Sequence, residues 1–267
     1  MGEFTDNVIV LTGASEGIGR ALALALAPQR PKLVVSARNQ ERLDSLASEC
    51  RSLGAQVVPV IADVTDEKQC RRLVETTLES FGHIDTLVVN AGATMWTRLD
   101  ELQDPSVLEK VMAVNYFGAA YCTMAALPHL KASGGRIVAV ASVAGLTGVP
   151  ERTGYCASKH AMVGFFDSLR IELADSGVSV TVIAPDFVVS QIHRRAMGAD
   201  GRPLGQTPMQ ESRIMTAERC AELIVDAMEK RQRLLITSAR GKLGRWLKLV
   251  APRLIDRIAK KAIEQRR

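Results

Sequence analysis

Long apolar runs are missing from this chain. Nowhere among its 267 residues do eighteen apolar residues follow one another, so no segment reads as a bilayer-spanning helix. The most apolar stretch, Val111 to Leu127, is interrupted by Asn115 and Tyr116 and reads as a buried helix. Aromatic residues are scarce, at six Phe, three Tyr and two Trp. No aromatic platform accompanies the basic residues, which argues against nucleic acid as a partner. The five cysteines, at positions 50, 70, 122, 156 and 220, lack metal-ligand spacing, so no metal is expected. Their odd number favours reduced thiols and a cytoplasmic setting. No Pro/Gly/Ser-rich linker or internal repeat divides the chain. Its first apolar run begins almost at once, so neither signal peptide nor anchor is expected ahead of the domain.

What is present is an alternation of short apolar runs with helical stretches. Strands are expected near Val8–Leu11, Leu33–Ser36, Gln56–Ile61, Thr86–Val89, Arg136–Ala141, Ser179–Ile183 and Arg233–Ile236. Such alternation predicts an α/β fold, one Rossmann-type doubly wound parallel sheet of about seven strands with helices on both faces. The length suits one large core.

Two constellations carry chemistry. The first strand runs into Thr12-Gly13-Ala14-Ser15-Glu16-Gly17-Ile18-Gly19, followed by a helix expected from Arg20 to Ala27. A glycine turn between strand and helix lets backbone approach a pyrophosphate, while the helix N-terminus offers free N–H groups and partial positive charge. The second constellation is Tyr155 and Lys159, with Ser142 thirteen residues upstream. If residues 155–174 are helical, four residues put Tyr155 and Lys159 on one face, a turn apart. A free tyrosine titrates near pH ~10, and a neighbouring ammonium favours its phenolate. Cys156 points about 100° away on that helix and reads as packing.

With Asp63-Val64, Val89-Asn90-Ala91-Gly92 and Asn115, these motifs resemble, in order, those of the short-chain dehydrogenase/reductase family, in the subfamily about 250 residues long. The resemblance runs from about Thr5 to Val225 and leans toward the hydroxysteroid dehydrogenase and carbonyl reductase branch. It implies Asn115, Ser142, Tyr155 and Lys159 as the catalytic set, with Tyr155 as general acid/base. It further implies a nicotinamide cofactor held by Gly13, Ser15, Glu16, Gly17, Ile18, Gly19, Asp63, Val64, Asn90, Ala91, Gly92, Tyr155, Lys159, Pro185, Val188 and Ser190. Asn115 is expected to hold a water that links Lys159 to solvent. Two positions depart from the family pattern: Val89 replaces an Asn, and Asp186 replaces the Gly that follows Pro185. Asp186 is expected either to alter substrate polarity or cofactor grip, or to point to solvent.

At the end of the second strand, an acidic residue would hold a ribose 2′-hydroxyl, whereas an arginine favours a 2′-phosphate. Ala37-Arg38 stands there, so Arg38 is the expected NADP(H) determinant and NADP(H) is expected over NAD(H). Glu16 lacks the second basic group found in many NADP-using relatives. Residues 186–216 form the expected substrate lid within a catalytic domain spanning 1–237. Phe187, Val188, Val189, Ile192, Met197 and Met209, with Ala93, Met95, Trp96, Val143, Leu146 and Val149, suggest a lipophilic substrate. His193-Arg194-Arg195 is expected to meet an anionic group or water. Two alternatives stay open: a 3-oxoacyl-thioester reductase and a non-catalytic NADP(H)-sensing protein. Family resemblance also implies a homodimer or homotetramer, and Ala161, Phe165, Phe166 and Leu169 suit such pairing.

The family motifs do not account for residues 238–267. These carry ten basic residues against two acidic ones, a net +8 in a chain of net +5, so the remainder is −3. Apolar residues Leu243, Trp246, Leu247 and Val250, then Leu254, Ile255, Ile258 and Ala262, recur at helical spacing around Pro252. Two short basic amphipathic helices are expected. They would either lie on an anionic membrane, making the protein peripheral there, or fold back on the domain or a partner subunit.

Overall fold

The computed structural model describes residues 2–264. Seven strands, β1 (Val8–Thr12), β2 (Lys32–Ala37), β3 (Gln56–Ile61), β4 (Thr86–Val89), β5 (Arg136–Val140), β6 (Ser179–Ala184) and β7 (Leu234–Ile236), form one sheet in the order β3-β2-β1-β4-β5-β6-β7. All pairs are parallel, with Ile9 opposite Leu33 on one side and Thr86 on the other. Every residue of β1, β4 and β5 is buried. Helices cover both faces, so these strands read as unbroken apolar runs rather than alternating ones.

One face is covered by α1 (Gly17–Leu26), α2 (Gln40–Ser52) and α7 (Ala217–Glu229), whose Leu22, Leu26, Leu43, Leu46 and Ile224 are fully buried. The other carries α3 (Glu67–Phe81), α5 (Gly118–Ser133) and α6 (Thr153–Glu172), which bury Leu73, Leu130 and Phe166. Side-chain caps start several helices: Asn39 accepts from the Arg42 N–H, Asp66 from Lys68 and Gln69, Thr216 from Arg219. Each satisfies a backbone donor that the first turn leaves open. Helix α1 follows Glu16 without any side-chain cap.

Between α4 (Ser106–Met112) and α5 lies a π-helical segment, Ala113–Phe117. The expected helix over 111–127 is therefore interrupted at Asn115, as happens often at functional sites. Residues 186–216 are tied to the domain by the pairing of Met197 with Met95 and closed on themselves by that of Val188 with Met215. Two further helices follow β7, α8 (Ala239–Val250) and α9 (Pro252–Glu264); Pro252 opens α9, where its missing N–H costs nothing. Phe166 packs fully into the core, so it leaves the expected pairing surface. Phe165 stays on that face, edge-on to Tyr116 at 5.9 Å between ring centres and near exposed Phe117.

Candidate active site

The strand order reverses at β1 and β4, and a crevice opens at the carboxyl ends of strands at such a point. A cleft of about 1210 Å³ occupies it. One end is built by the glycine turn. Gly13 sits at φ +64°, and a Cβ there would lie 2.7 Å from the Ala91 Cα. Thr12 Oγ accepts from the N–H groups of Asn90 (3.0 Å) and Ala91 (3.2 Å), and Asn90 Nδ2 donates to the Thr12 and Gly13 carbonyls. The β4 loop is thereby tied to the turn.

Every residue expected to hold cofactor lines the cleft except Gly19. Gly19 lies behind it, where a Cβ would meet the Gly13 carbonyl oxygen at 2.3 Å. Its task is close helix packing. The uncapped N-terminus of α1, the positive-φ turn and the cleft together fit a dinucleotide pyrophosphate.

Ser142, Tyr155 and Lys159 share the cleft wall. Ser142 leaves β5 and caps the short turn Val143–Gly145, its Oγ accepting from the Ala144 N–H at 3.1 Å. Tyr155 and Lys159 lie in the first two turns of α6, which begins two residues before Tyr155. Lys159 Nζ donates to the Val140 carbonyl at 2.9 Å and lies 6.0 Å from the centre of the Tyr155 ring. Burial, reinforced by the Arg152 charge, pulls the Lys159 pKa down to about 7.

Asn115 is buried but is not part of the cleft wall. Its Oδ1 accepts from the Ala93 N–H at 2.8 Å, while Nδ2 donates to the Ala93 carbonyl and to Ser158 Oγ. Its side chain clamps the loop after β4 to α6.

Arg152 has no motif to announce it. It is 4% exposed, donates to Thr94 Oγ at 2.5 Å and lies over three rings: Tyr155 at 4.1 Å, Trp96 at 5.1 Å and Phe187 at 5.7 Å. It precedes the first residue of α6, and its non-helical backbone turns its side chain back over the Tyr155 ring. His193 is equally buried and bonds the Val188 carbonyl through Nε2 at 3.1 Å. Burial and the Arg152 charge hold its pKa below the usual histidine value. His193 thus anchors the lid internally instead of facing water. Arg195 pairs with Glu16, which also holds Arg42 at 2.6 Å.

The remaining cleft is largely apolar. Ala93, Trp96, Val143, Val149, Phe187, Val188, Ile192 and Met197 line it, whereas Met95, Leu146, Val189 and Met209 do not. Met95 belongs instead to a small core beside α4 and α6. Asp186 lines the cleft, and its carboxylate, rather than pointing freely to solvent, accepts from Arg240 and Ser238.

The short chain dehydrogenase family model matches residues 7–199. This chain belongs to that family. It is 34% identical over 264 residues to "11-beta-hydroxysteroid dehydrogenase 1A" of Arabidopsis thaliana, covering 95% of this chain and 75% of the relative. It is 38% identical over 238 residues to "11-beta-hydroxysteroid dehydrogenase" of Pinus massoniana, covering 86% and 67%. In structure it resembles a short chain dehydrogenase/reductase from Burkholderia phymatum solved in complex with NAD, with a TM-score of 0.83, 28% identity and coverage of 95% and 96%. The protein is an oxidoreductase of this family, acting on alcohol or carbonyl groups of a small molecule with a nicotinamide cofactor.

Proposed function

We propose that the protein is an NADP(H)-dependent reductase of lipophilic ketones or aldehydes. The observation that carries this reading is the single cleft in which the glycine turn, Ser142, Tyr155 and Lys159 meet a wall of apolar side chains. Bound NADP(H) would supply the hydride to the carbonyl carbon. Tyr155 Oη gives its proton to the carbonyl oxygen, and Ser142 Oγ donates a hydrogen bond to that same oxygen as charge develops there. Lys159, with a pKa about 7, exchanges protons at neutral pH and so restores the phenol. In the opposite direction Tyr155 accepts the alcohol proton.

The preference for NADP(H) is supported by Arg38. It follows β2 at the cleft edge, 75% exposed at its side chain and held only loosely to Asp63 at 3.7 Å. Arg42 lines the same end. Ala37 supplies no carboxylate to repel a 2′-phosphate. The names of the plant relatives favour a steroid-like substrate, consistent with the apolar wall. A homo-oligomer pairing through α5 and α6 is part of this reading, supported by exposed Phe117, Met124 and Ile171.

The test is NADPH consumption across steroid, aromatic and 3-oxoacyl carbonyls, beside Tyr155→Phe. Turnover that depends on Tyr155 supports the reading; silence with NADPH bound would favour a sensing role. A 3-oxoacyl-thioester reductase is the second reading, favoured by the basic helices beside the cleft. Activity restricted to acyl-carrier-protein substrates would select it.

A further inference from the structure

Helix α8 is pinned along one edge. Arg240 reaches Asp186, Ser238 caps the helix by accepting from the Gly241 N–H, and Lys248 Nζ lies 3.0 Å from the Leu146 carbonyl and 3.3 Å from His160 Nε2. At 100° per residue, Arg240, Gly241, Gly244 and Lys248 occupy one side. The opposite side, turned away from the domain, presents Leu243, Trp246, Leu249 and Val250, with Trp246 66% and Leu249 76% exposed. A solvated helix would turn its polar side outward. Here the outward side is mostly apolar, with exposed Lys242 between Leu249 and Trp246 and exposed Arg245 at its edge.

Helix α9 continues the surface. Leu254 and Ile258 are exposed beside Arg253, Arg257 and Lys261. Ile258 also lines the cleft, together with Ile255 and Ala259. An apolar track therefore joins the outer face of the two helices to the mouth of the site.

We propose that the outer faces of α8 and α9 dock on an anionic phospholipid bilayer, with the cleft mouth held against the lipid surface. The docking follows from these helices and does not depend on the catalytic assignment. Charge selects the occupant. A twofold contact with a second copy would set this basic surface against itself, since residues 238–267 carry +8, whereas anionic headgroups complement it. Tryptophan beside lysine and arginine is also the composition that settles at the headgroup level. Among the described residues no helix is long and apolar enough to cross a membrane, so the attachment is peripheral.

The test is co-sedimentation of the full chain with phosphatidylglycerol/phosphatidylcholine vesicles and with phosphatidylcholine alone, at low and high salt. The expected result is binding to the anionic vesicles that high salt reduces, with a blue shift of tryptophan emission that Trp246→Phe removes. The triple variant Leu243→Glu/Trp246→Glu/Leu249→Glu should lose at least tenfold in vesicle binding while keeping its far-UV circular dichroism and NADPH binding. Absence of binding to anionic vesicles would overturn the proposal, and so would equal pelleting of wild type and triple variant. Self-association in lipid-free buffer that the triple variant abolishes, without vesicle binding, would assign the face to a second copy instead. Neither result bears on turnover, which the Tyr155→Phe assay reads separately.

Discussion

Asp186 holds Arg240 by two hydrogen bonds, Nη2 to Oδ1 at 2.7 Å and Nε to Oδ2 at 3.1 Å, across 54 residues of chain. Its Oδ2 also accepts from Ser238 Oγ at 2.7 Å. Burial alone would raise the Asp186 pKa, but the bonds from Arg240 and Ser238 outweigh it, and the carboxyl sits below the usual aspartate range. A group with a depressed folded pKa stabilises above its unfolded value, near ~4, and loses that contribution as pH falls through the folded value. Arg240 is largely exposed, so solvent screens part of the pair, and Asp186→Asn should cost about 1 kcal/mol at pH 7. The expected outcome is a melting temperature a few degrees lower at pH 7, with the difference shrinking below pH ~4. Trypsin should also cut within α8 and α9 sooner than in wild type. An unchanged cleavage pattern would refute the role of Asp186 as the tether.

The sheet was legible because its strands are buried and therefore appear as apolar runs; all seven lie within one residue of the expected limits at both ends. The glycine turn and Tyr155–Lys159 were legible because their chemistry depends on short spacings along the chain. Arg152 was not, since its contacts with Thr94, Trp96 and Phe187 are made only when distant loops converge. Asp186 stood out as a departure from the family pattern, yet its partner is set by where α8 begins. Asn115 lay in a stretch read as continuous helix, and apolar periodicity does not distinguish a π-helical turn from an α-helical one.

Tyr155→Phe removes the proton donor while keeping the ring under the Arg152 guanidinium. General acid catalysis contributes about 10²–10⁴-fold, so kcat should fall by that range. NADPH affinity, measured by fluorescence titration, should change less than about threefold. Retention of more than about a tenth of wild-type kcat would count against Tyr155 as the acid.

Lys159 offers a prediction about stability without any substrate. Its folded pKa of about 7 lies below the ordinary lysine value of 10.5, so the unfolded chain binds more protons between those limits and stability rises with pH through that window. Lys159→Met removes the buried ammonium. In nucleotide-free protein the variant should be more stable than wild type at pH 7, and the gap should narrow toward pH ~10. Turnover should be lost. A variant less stable than wild type at every pH would contradict the assigned burial cost.

Arg152 lies over the Tyr155 ring and depresses the Lys159 pKa, which makes it a positioning residue acting through both. Arg152→Met keeps much of the stem and removes the charge. The limb of the pH–rate profile governed by Lys159 should move to higher pH, because the repulsion from a neighbouring cation is gone. Arg152→Lys should restore much of that position without the planar stacking on the rings. A purely structural role would instead lower kcat and stability together, leaving the profile in place.

Glu16 and Arg38 bear opposite signs at the nucleotide end of the cleft, and their variants should move cofactor preference in opposite directions. Glu16 engages both Arg42 and Arg195, so its carboxylate competes with any phosphate for those guanidinium groups. Glu16→Gln removes that competition, and the KM for NADPH should fall several-fold while the KM for NADH changes little. Arg38→Ala removes the cation that follows Ala37. Hydrogen bonds to charged groups are worth about 1.5–3 kcal/mol, so the KM for NADPH should rise about 10- to 100-fold, again with little effect on NADH. Steady-state kinetics with the two nucleotides decide the matter. A wild-type preference for NADH, or an Arg38→Ala variant that weakens both nucleotides equally, would withdraw the 2′-phosphate from this end of the site.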